Sequence, residues 1–227
     1  NSTHSAANGL FKSVPYDPIK DFTPIARIGS FPSFVAVHPS LPINSMQELV
    51  AYAKANPGKL SYGVGNSTGQ ITGETIKKRT GIEVVRVNYR SNPAALTDLV
   101  AGHIQMMIPD YNTGLAQVKA KTIRPLAVLT KDRNPALPDV PTLSETVMPG
   151  FDILAWAGMF GPANMPPEAT KALAGAIEKA LKQEIRERFA AAGTDIYWSG
   201  PAEFDAFVKS ELVKWTAAIK EAGIEPE

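Results

Sequence analysis

The chain has 227 residues, of which 44% are apolar and 20% are charged, with a formal net charge of +1 and no cysteine. This composition indicates an ordinary globular protein with a buried core, and it excludes thiolate metal sites, thiol catalysis and disulfides. Lysine and arginine are spread along the chain, so the basic stripe that binds nucleic acid is missing. No apolar run approaches the roughly 20 residues that span a bilayer.

Apolar spacing and turn residues predict strands that alternate with helices. Residues before 34 are rich in proline and aromatic side chains and carry no predicted element. In chain order, the predicted elements are a strand at 34–37, a helix begun by a Ser45/Glu48 capping box, a strand at 60–64, a helix at 70–79, a strand at 84–88, a helix at 93–101, a strand at 104–108, a helix at 114–120, strands at 126–129 and 153–160, and helices at 167–182, 185–192 and 201–222. Such alternation indicates an α/β fold with a parallel sheet.

The segment that most strongly indicates a ligand-binding site is the Gly-rich turn between the strand at 60–64 and the helix at 70–79. It consists of Gly65, Asn66, Ser67, Thr68 and Gly69. Glycine lets a backbone approach a ligand closely, and the first N–H groups of the next helix point toward that ligand. With two neutral hydroxyl donors, the turn is a cradle for an anion such as a carboxylate. The alternative is a plain strand-to-helix turn in which Ser or Thr caps the helix.

Two enzyme interpretations compete for the same turn. The spacing Gly65-x-Ser67-x-Gly69 matches the nucleophile elbow of α/β-hydrolases, but His103 is the only histidine downstream of Ser67. The other interpretation is a dinucleotide loop of an NADP-dependent reductase, with Arg90 facing a phosphate, although the glycine spacing departs from G-x-G-x-x-G.

Further candidates follow the next two strands. Tyr89, Arg90 and Ser91 come after the strand at 84–88, and Asp110 comes after the strand at 104–108. Ligands of open α/β sheets bind beyond the carboxyl ends of the strands, which places these residues beside the Gly-rich turn. Asp110 would accept a hydrogen bond from a ligand, or serve as a turn residue. Alternatively, Ser91 or Asn92 only caps the next helix, and Arg90 is a solvated surface charge.

Other polar and aromatic residues give weaker signals. The three histidines share no metal-ligand spacing, so no metal site is expected. Trp156 lies in an apolar strand, where it belongs to the core or walls a pocket.

Short motifs along the whole chain resemble those of the Bug/TctC family, the periplasmic solute-binding proteins of tripartite tricarboxylate transporters. The motifs are Asn1-Ser2-Thr3-His4, Tyr16-Asp17-Pro18, Asp21-Phe22-Thr23-Pro24, Tyr62-Gly63-Val64-Gly65-Asn66, Val87-Asn88-Tyr89-Arg90, Ala95-Leu96-Thr97-Asp98-Leu99, the run from Arg124 to Thr130, Pro138-Asp139-Val140-Pro141-Thr142, Phe160-Gly161-Pro162-Ala163 and the run from Ala222 to Glu227.

The resemblance implies a type 2 periplasmic-binding-protein fold, with two α/β lobes joined by crossing strands at 35–38 and 156–160. One lobe would hold residues 1–38 and 156–227, and the other residues 39–155. Family members begin with about two β–α units, on the order of 60 residues, before the segment that matches Asn1. This block is not among the 227 residues, so the N-terminal part of the first lobe is expected to be missing.

The resemblance also implies a periplasmic binding protein and not an enzyme, with no catalytic residue, cofactor or metal. A mono- or dicarboxylate would bind in an interlobe cleft, held by residues 65–69, flanked by residues 89–91 and selected by Asp110. Ser2 and Thr3 would contribute from the opposite lobe. The expected partners are this ligand and the membrane subunits of a transporter, with the protein itself a monomer. A ligand sensor remains an alternative.

Overall fold

The computed structural model describes residues 1–191 and 193–226. The chain forms two compact units, one joining Asn1–Phe31 to Ala155–Glu227 and the other comprising Pro32–Leu154. The lobe borders implied by the resemblance stay a prediction. Residues 35–37, expected to link the lobes, lie inside a sheet of the second unit.

Helices and strands alternate through most of the chain. In chain order they are α1 (Thr3–Leu10), β1 (Phe22–Phe31), β2 (Phe34–Val37), α2 (Met46–Ala55), β3 (Leu60–Val64), α3 (Ser67–Thr80), β4 (Val84–Asn88), α4 (Asn92–Val100), β5 (Met106–Met107), α5 (Tyr111–Lys119), β6 (Arg124–Val128), α6 (Leu143–Thr146), β7 (Ala155–Pro162), α7 (Pro167–Ala180), α8 (Gln183–Ala191), β8 (Asp195–Ser199) and α9 (Pro201–Ala222).

The second unit is built on a five-stranded sheet in the order β4-β3-β5-β2-β6. β3 is parallel to both β4 and β5, as the strand–helix alternation predicted. β2 is antiparallel to both of its neighbours, so the prediction of a parallel sheet was wrong for this strand. The apolar run of β2 indicates burial on both faces but not the direction of its partners, and those partners, β5 and β6, lie far along the chain.

Local chemistry explains where the helices of the second unit begin and end. Ser45 caps α2 by accepting a hydrogen bond from the Glu48 backbone N–H over 3.1 Å. The predicted capping box is incomplete, because the Glu48 carboxylate accepts from the N–H of Asn44 at 2.6 Å instead of that of Ser45. Gly81 ends α3 in the left-handed conformation, at φ 69°, which glycine adopts without strain.

The first unit is built on a three-stranded antiparallel sheet in the order β7-β1-β8. Phe204 and Val208 of α9 pack with Trp156 of β7 into a buried cluster. Trp156 is fully buried, with its ring 5.7 Å from that of Phe204 in an edge-on arrangement. Burial of these large side chains is the main stabilising contribution available to so small a sheet.

Several predicted boundaries differ from those of the structure. α1, β1, α6 and β8 were not predicted, and the strand expected at 104–108 is reduced to the two residues of β5. The sequence does not predict β1 because Pro24 and Gly29 interrupt its alternation of apolar and polar residues. The pairing of β1 with β7 shifts register at both of these residues. The helix predicted at 185–192 corresponds to α8, although its last residue, Ala192, lies outside the described residues, as does Glu227 of the final family motif.

Candidate functional site

The carboxyl ends of β3, β4 and β5 lie side by side in the second unit. Val64 of β3 is opposite Asn88 of β4, and Gly63 is opposite Met107 of β5. The segments that follow these strands, residues 65–69, 89–92 and 108–110, therefore share one border of the sheet. We call these three segments the candidate edge. It holds nine of the twelve residues that the sequence singled out.

Gly65 brings the first two segments of the candidate edge into contact. A Cβ atom placed on Gly65 would lie 2.3 Å from the backbone N of Asn92 and from the carbonyl carbon of Ser91. Such distances are far inside van der Waals contact, so only glycine fits. The sequence predicted a close approach to a ligand, whereas the structure shows a close approach to another loop of the protein.

The residues after Gly65 form the first turn of α3. Asn66, and not a serine or threonine, is the N-cap, and its side chain accepts a hydrogen bond from the Gly69 N–H over 2.8 Å. This cap starts the helix at Ser67, three residues earlier than predicted. Thr68 and Gly69 are buried, and Ser67 is half-buried. The positive end of the helix dipole thus lies at the candidate edge.

Tyr89 continues the pairing of β4 with β3 and then anchors its ring on α4. Its N–H donates to the Val64 carbonyl over 2.8 Å, and its hydroxyl donates to Asp98 Oδ2 over 2.7 Å. Burial, reinforced by the hydrogen bond to Asp98, raises the pKa of Tyr89 to about 12. Arg90 is exposed, and Ser91 occupies the N-cap position of α4 without a capping hydrogen bond from its side chain.

Asp110 caps α5, and its carboxylate is engaged by protein donors. Oδ1 accepts from the N–H and from the hydroxyl of Thr113, both over 2.9 Å. Oδ2 accepts from Nδ2 of Asn92 over 2.8 Å. This geometry favours the turn-residue alternative for Asp110. The sequence indicates no more than a helix cap for Asn92, and no pattern in it signals the bond to Asp110.

Ser2, Thr3 and Trp156 belong to the first unit. Ser2 is buried, and its hydroxyl oxygen accepts a hydrogen bond from the Trp156 backbone N–H over 2.8 Å. Thr3 is exposed, and its N–H donates to Asn1 Oδ1 over 3.1 Å. The hydrogen bond between Ser2 and Trp156 links the start of α1 to β7, and the core alternative for Trp156 is the one observed.

The hydrolase interpretation fails on geometry. The N–H of Gln105 donates to the carbonyl of Ser61 at the start of β3, so His103 lies near the amino ends of the strands. Ser67 follows their carboxyl ends. A serine nucleophile needs a base within hydrogen-bond reach, and His103 instead faces Asp98 Oδ1 at 3.4 Å.

Within residues 1–191 and 193–226, no group of three or more His, Cys, Asp or Glu side chains is arranged to hold a metal ion. Among the same residues, no helix combines the length and apolar character that crossing a membrane requires.

Solved structures define the class of protein. The chain superimposes on the periplasmic binding protein BugD with a TM-score of 0.93 and 25% identity, covering 100% of this chain and 77% of that one. It superimposes on R. palustris Rpa4515, solved with adipate, with a TM-score of 0.92 and 30% identity, covering 99% of this chain and 77% of that one. The fold is that of an α/β periplasmic binding protein, as predicted.

The family follows from the sequence. Residues 1–224 match the family described as "Tripartite tricarboxylate transporter family receptor", TctC, and the chain belongs to it. A UPF0065 protein of Pseudomonas sp. strain P51, encoded in the tcbD-tcbE intergenic region, is 33% identical over 97% of this chain and 67% of its own length. BugT of Bordetella pertussis is 28% identical over 94% of this chain and 67% of its own length. The family consists of periplasmic binding proteins and not of enzymes, which confirms the resemblance.

Proposed function

We propose that this chain captures a small mono- or dicarboxylate at the candidate edge, as a monomeric receptor that delivers it to the membrane subunits of a tripartite tricarboxylate-type transporter. One observation carries the proposal: helices α3, α4 and α5 all begin where the three parallel strands end. Helix N-termini and neutral hydroxyl groups stabilise a carboxylate without a cluster of arginines.

Charge at the candidate edge favours a carboxylate over a phosphate. Arg90 is the single arginine or lysine among residues 65–69, 89–92 and 108–110, and Asp110 brings a negative charge there. A doubly charged phosphate group is usually held by several cationic side chains. Ser67, Thr68 and Ser91 offer hydroxyl groups that suit the single charge of a carboxylate. The solved relative that shares 30% identity was determined with adipate, a dicarboxylate.

A thermal-shift panel tests this function. The panel contains adipate, succinate, malate, acetate, inorganic phosphate and glucose 6-phosphate. A carboxylate present at about 100 times its dissociation constant should add ~2.7 kcal/mol to the free energy of unfolding. We expect at least one carboxylate to raise the melting temperature and both phosphates to leave it unchanged. Stabilisation by the phosphates alone would refute the proposal.

A further inference from the structure

We propose that Asn92 is a positioning residue that holds the three segments of the candidate edge in register. The inference rests on the proposed function, because the edge that Asn92 positions is the proposed carboxylate site. Asn92 is only 6% exposed, and it is the first residue of α4. It is therefore placed to act through its neighbours and not by contact with a ligand.

Asn92 contacts both neighbouring segments, one through its backbone and one through its side chain. Its backbone N lies against Gly65, where even a Cβ atom would be 2.3 Å away. Its Nδ2 donates to Asp110 Oδ2 over 2.8 Å, which links the start of α4 to the start of α5. A hydrogen bond to an ionised acceptor is stronger than a neutral one. Movement of Asn92 would therefore displace the segments on both sides of it.

The side chain of Asn92 is not arranged for maximum stability. Its Oδ1 is buried and has no hydrogen-bond partner among the described residues. The amide cannot turn over, because Asp110 Oδ2 requires a donor and only Nδ2 is one. A buried acceptor without a donor opposes folding, and this cost offsets the gain from the bond to Asp110. Replacing Asn92 by alanine removes both the unpartnered acceptor and the bond to Asp110. Because Asp110 is only half-buried, water can replace the lost donor, so stability should change little while the link between the segments is lost.

The Asn92→Ala variant tests this role, with Asn56→Ala as the matched control. Asn56 lies in the same unit and donates its Nδ2 to the Tyr52 carbonyl over 3.0 Å, just after α2 and outside the candidate edge. In Asn92→Ala, we expect faster amide hydrogen exchange across residues 65–69 and 89–91, with a melting temperature close to that of the wild type. Calorimetric titration should show the tightest binder among adipate, succinate and malate weakened about tenfold, equivalent to ~1.4 kcal/mol. Asn56→Ala should change neither exchange at these residues nor affinity.

A double-mutant cycle shows whether Asn92 affects ligand binding through Asp110 or independently of it. If Asn92 acts through Asp110, the Asn92→Ala/Asp110→Ala double variant should bind no more weakly than Asp110→Ala alone. Exchange and affinity that stay at wild-type values in Asn92→Ala would overturn the positioning role, as would additive losses in the double variant. Failure of the wild-type protein to bind any of the three carboxylates would contradict the proposed function instead. The exchange measurement needs no ligand, so it judges the positioning role in either case.

Discussion

The hydroxyl of Tyr89 donates a hydrogen bond to Asp98 Oδ2 over 2.7 Å, which joins the candidate edge to the last turn of α4. The same Asp98 carboxylate lies 3.4 Å from His103 Nδ1 near the other end of the strands. Two hydrogen bonds hold the pKa of Asp98 below its usual value: the one from Tyr89 contributes most, and the one from His103 contributes less. Tyr89 is therefore fixed by a charged partner and is not free to turn toward solvent.

Replacing Tyr89 by phenylalanine should raise the pKa of Asp98 toward its ordinary value of about 3.9, because the ionised carboxylate loses its strongest donor. Carboxyl chemical shifts followed through an acid titration measure this change. Asp17 is an internal control, since backbone N–H groups of Lys20 and Ile19 lower its pKa and the substitution leaves them in place. An Asp98 pKa that is the same in both proteins would show that Tyr89 does not stabilise the carboxylate.

The same substitution should alter the dependence of stability on pH. The folded-state pKa of Asp98 is depressed, so its contribution is complete above about pH 4 and is lost as the pH falls through the folded-state value. The free energy of unfolding of the wild type should exceed that of Tyr89→Phe by a constant amount at neutral pH. The difference should shrink below about pH 4. Urea denaturation at a series of pH values measures it.

Replacing Gly65 by alanine should destabilise the second unit by about 1–3 kcal/mol, because the new methyl group meets the backbone of residues 91 and 92 and cannot be relieved by a side-chain rotation. Gly175 of α7 is the matched control, since a Cβ atom there meets nothing within 4 Å. Gly175→Ala should stabilise the protein by up to ~1 kcal/mol through helix propensity. Urea denaturation curves measure the free energy of unfolding of both variants. Equal values for the two would contradict the close approach of Gly65 to the backbone of residues 91 and 92.

Replacing Ser67 by alanine should weaken carboxylate binding by about 1–3 kcal/mol, the cost of removing one hydrogen-bonding partner at a partly buried site. Calorimetry measures the loss, with Ser144→Ala as a control. Ser144 of α6 lies in the same unit but outside the candidate edge, and it accepts from the Gly150 N–H over 3.0 Å, so its loss should leave affinity unchanged. A serine-directed fluorophosphonate probe should not label Ser67. Stoichiometric labelling that disappears in His103→Ala would restore the hydrolase interpretation.

His4 should make the stability of the first unit sensitive to mild acid. Burial lowers the pKa of His4, whose ring lies 4.6 Å from that of Phe160 and whose Nε2 is 2.8 Å from the Pro18 carbonyl oxygen. Because the folded-state pKa is below the unfolded value of about 6.5, the unfolded state binds the proton first and stability falls as the pH drops below that value.

His4→Phe keeps the aromatic packing and removes the titrating group. The free energy of unfolding should therefore decrease between pH 7.5 and pH 5.5 by less in the variant than in the wild type. Chemical denaturation at the two pH values provides the measurement. His38 and His103 are present in both proteins, so their contributions cancel in the comparison. A decrease of the same size in both proteins would mean that His4 titrates normally.

Most of the second unit could be predicted from the sequence, because its signals are local. β2, β3 and β4 have the bounds that apolar spacing predicts. In the first unit, α9 also has its predicted bounds. β8 was missed although its Ile-Tyr-Trp run favours a strand, because it is short and lies between two helices. β1 is long but irregular, and its pairing with β7 joins residues more than 120 positions apart in the sequence. No window of residues contains such a pairing.

The sequence alone determined the family, the α/β alternation and the segments that border the candidate edge, since each depends on residue types at fixed spacings along the chain. The tertiary structure decided what those residues do. It showed that Gly65 makes room for the backbone at Asn92, that Asp110 is occupied by Thr113 and Asn92, and that Ser2 supports Trp156. These roles depend on hydrogen bonds and steric contacts between residues that folding brings together, and contacts of that kind leave no periodic trace in the order of the amino acids.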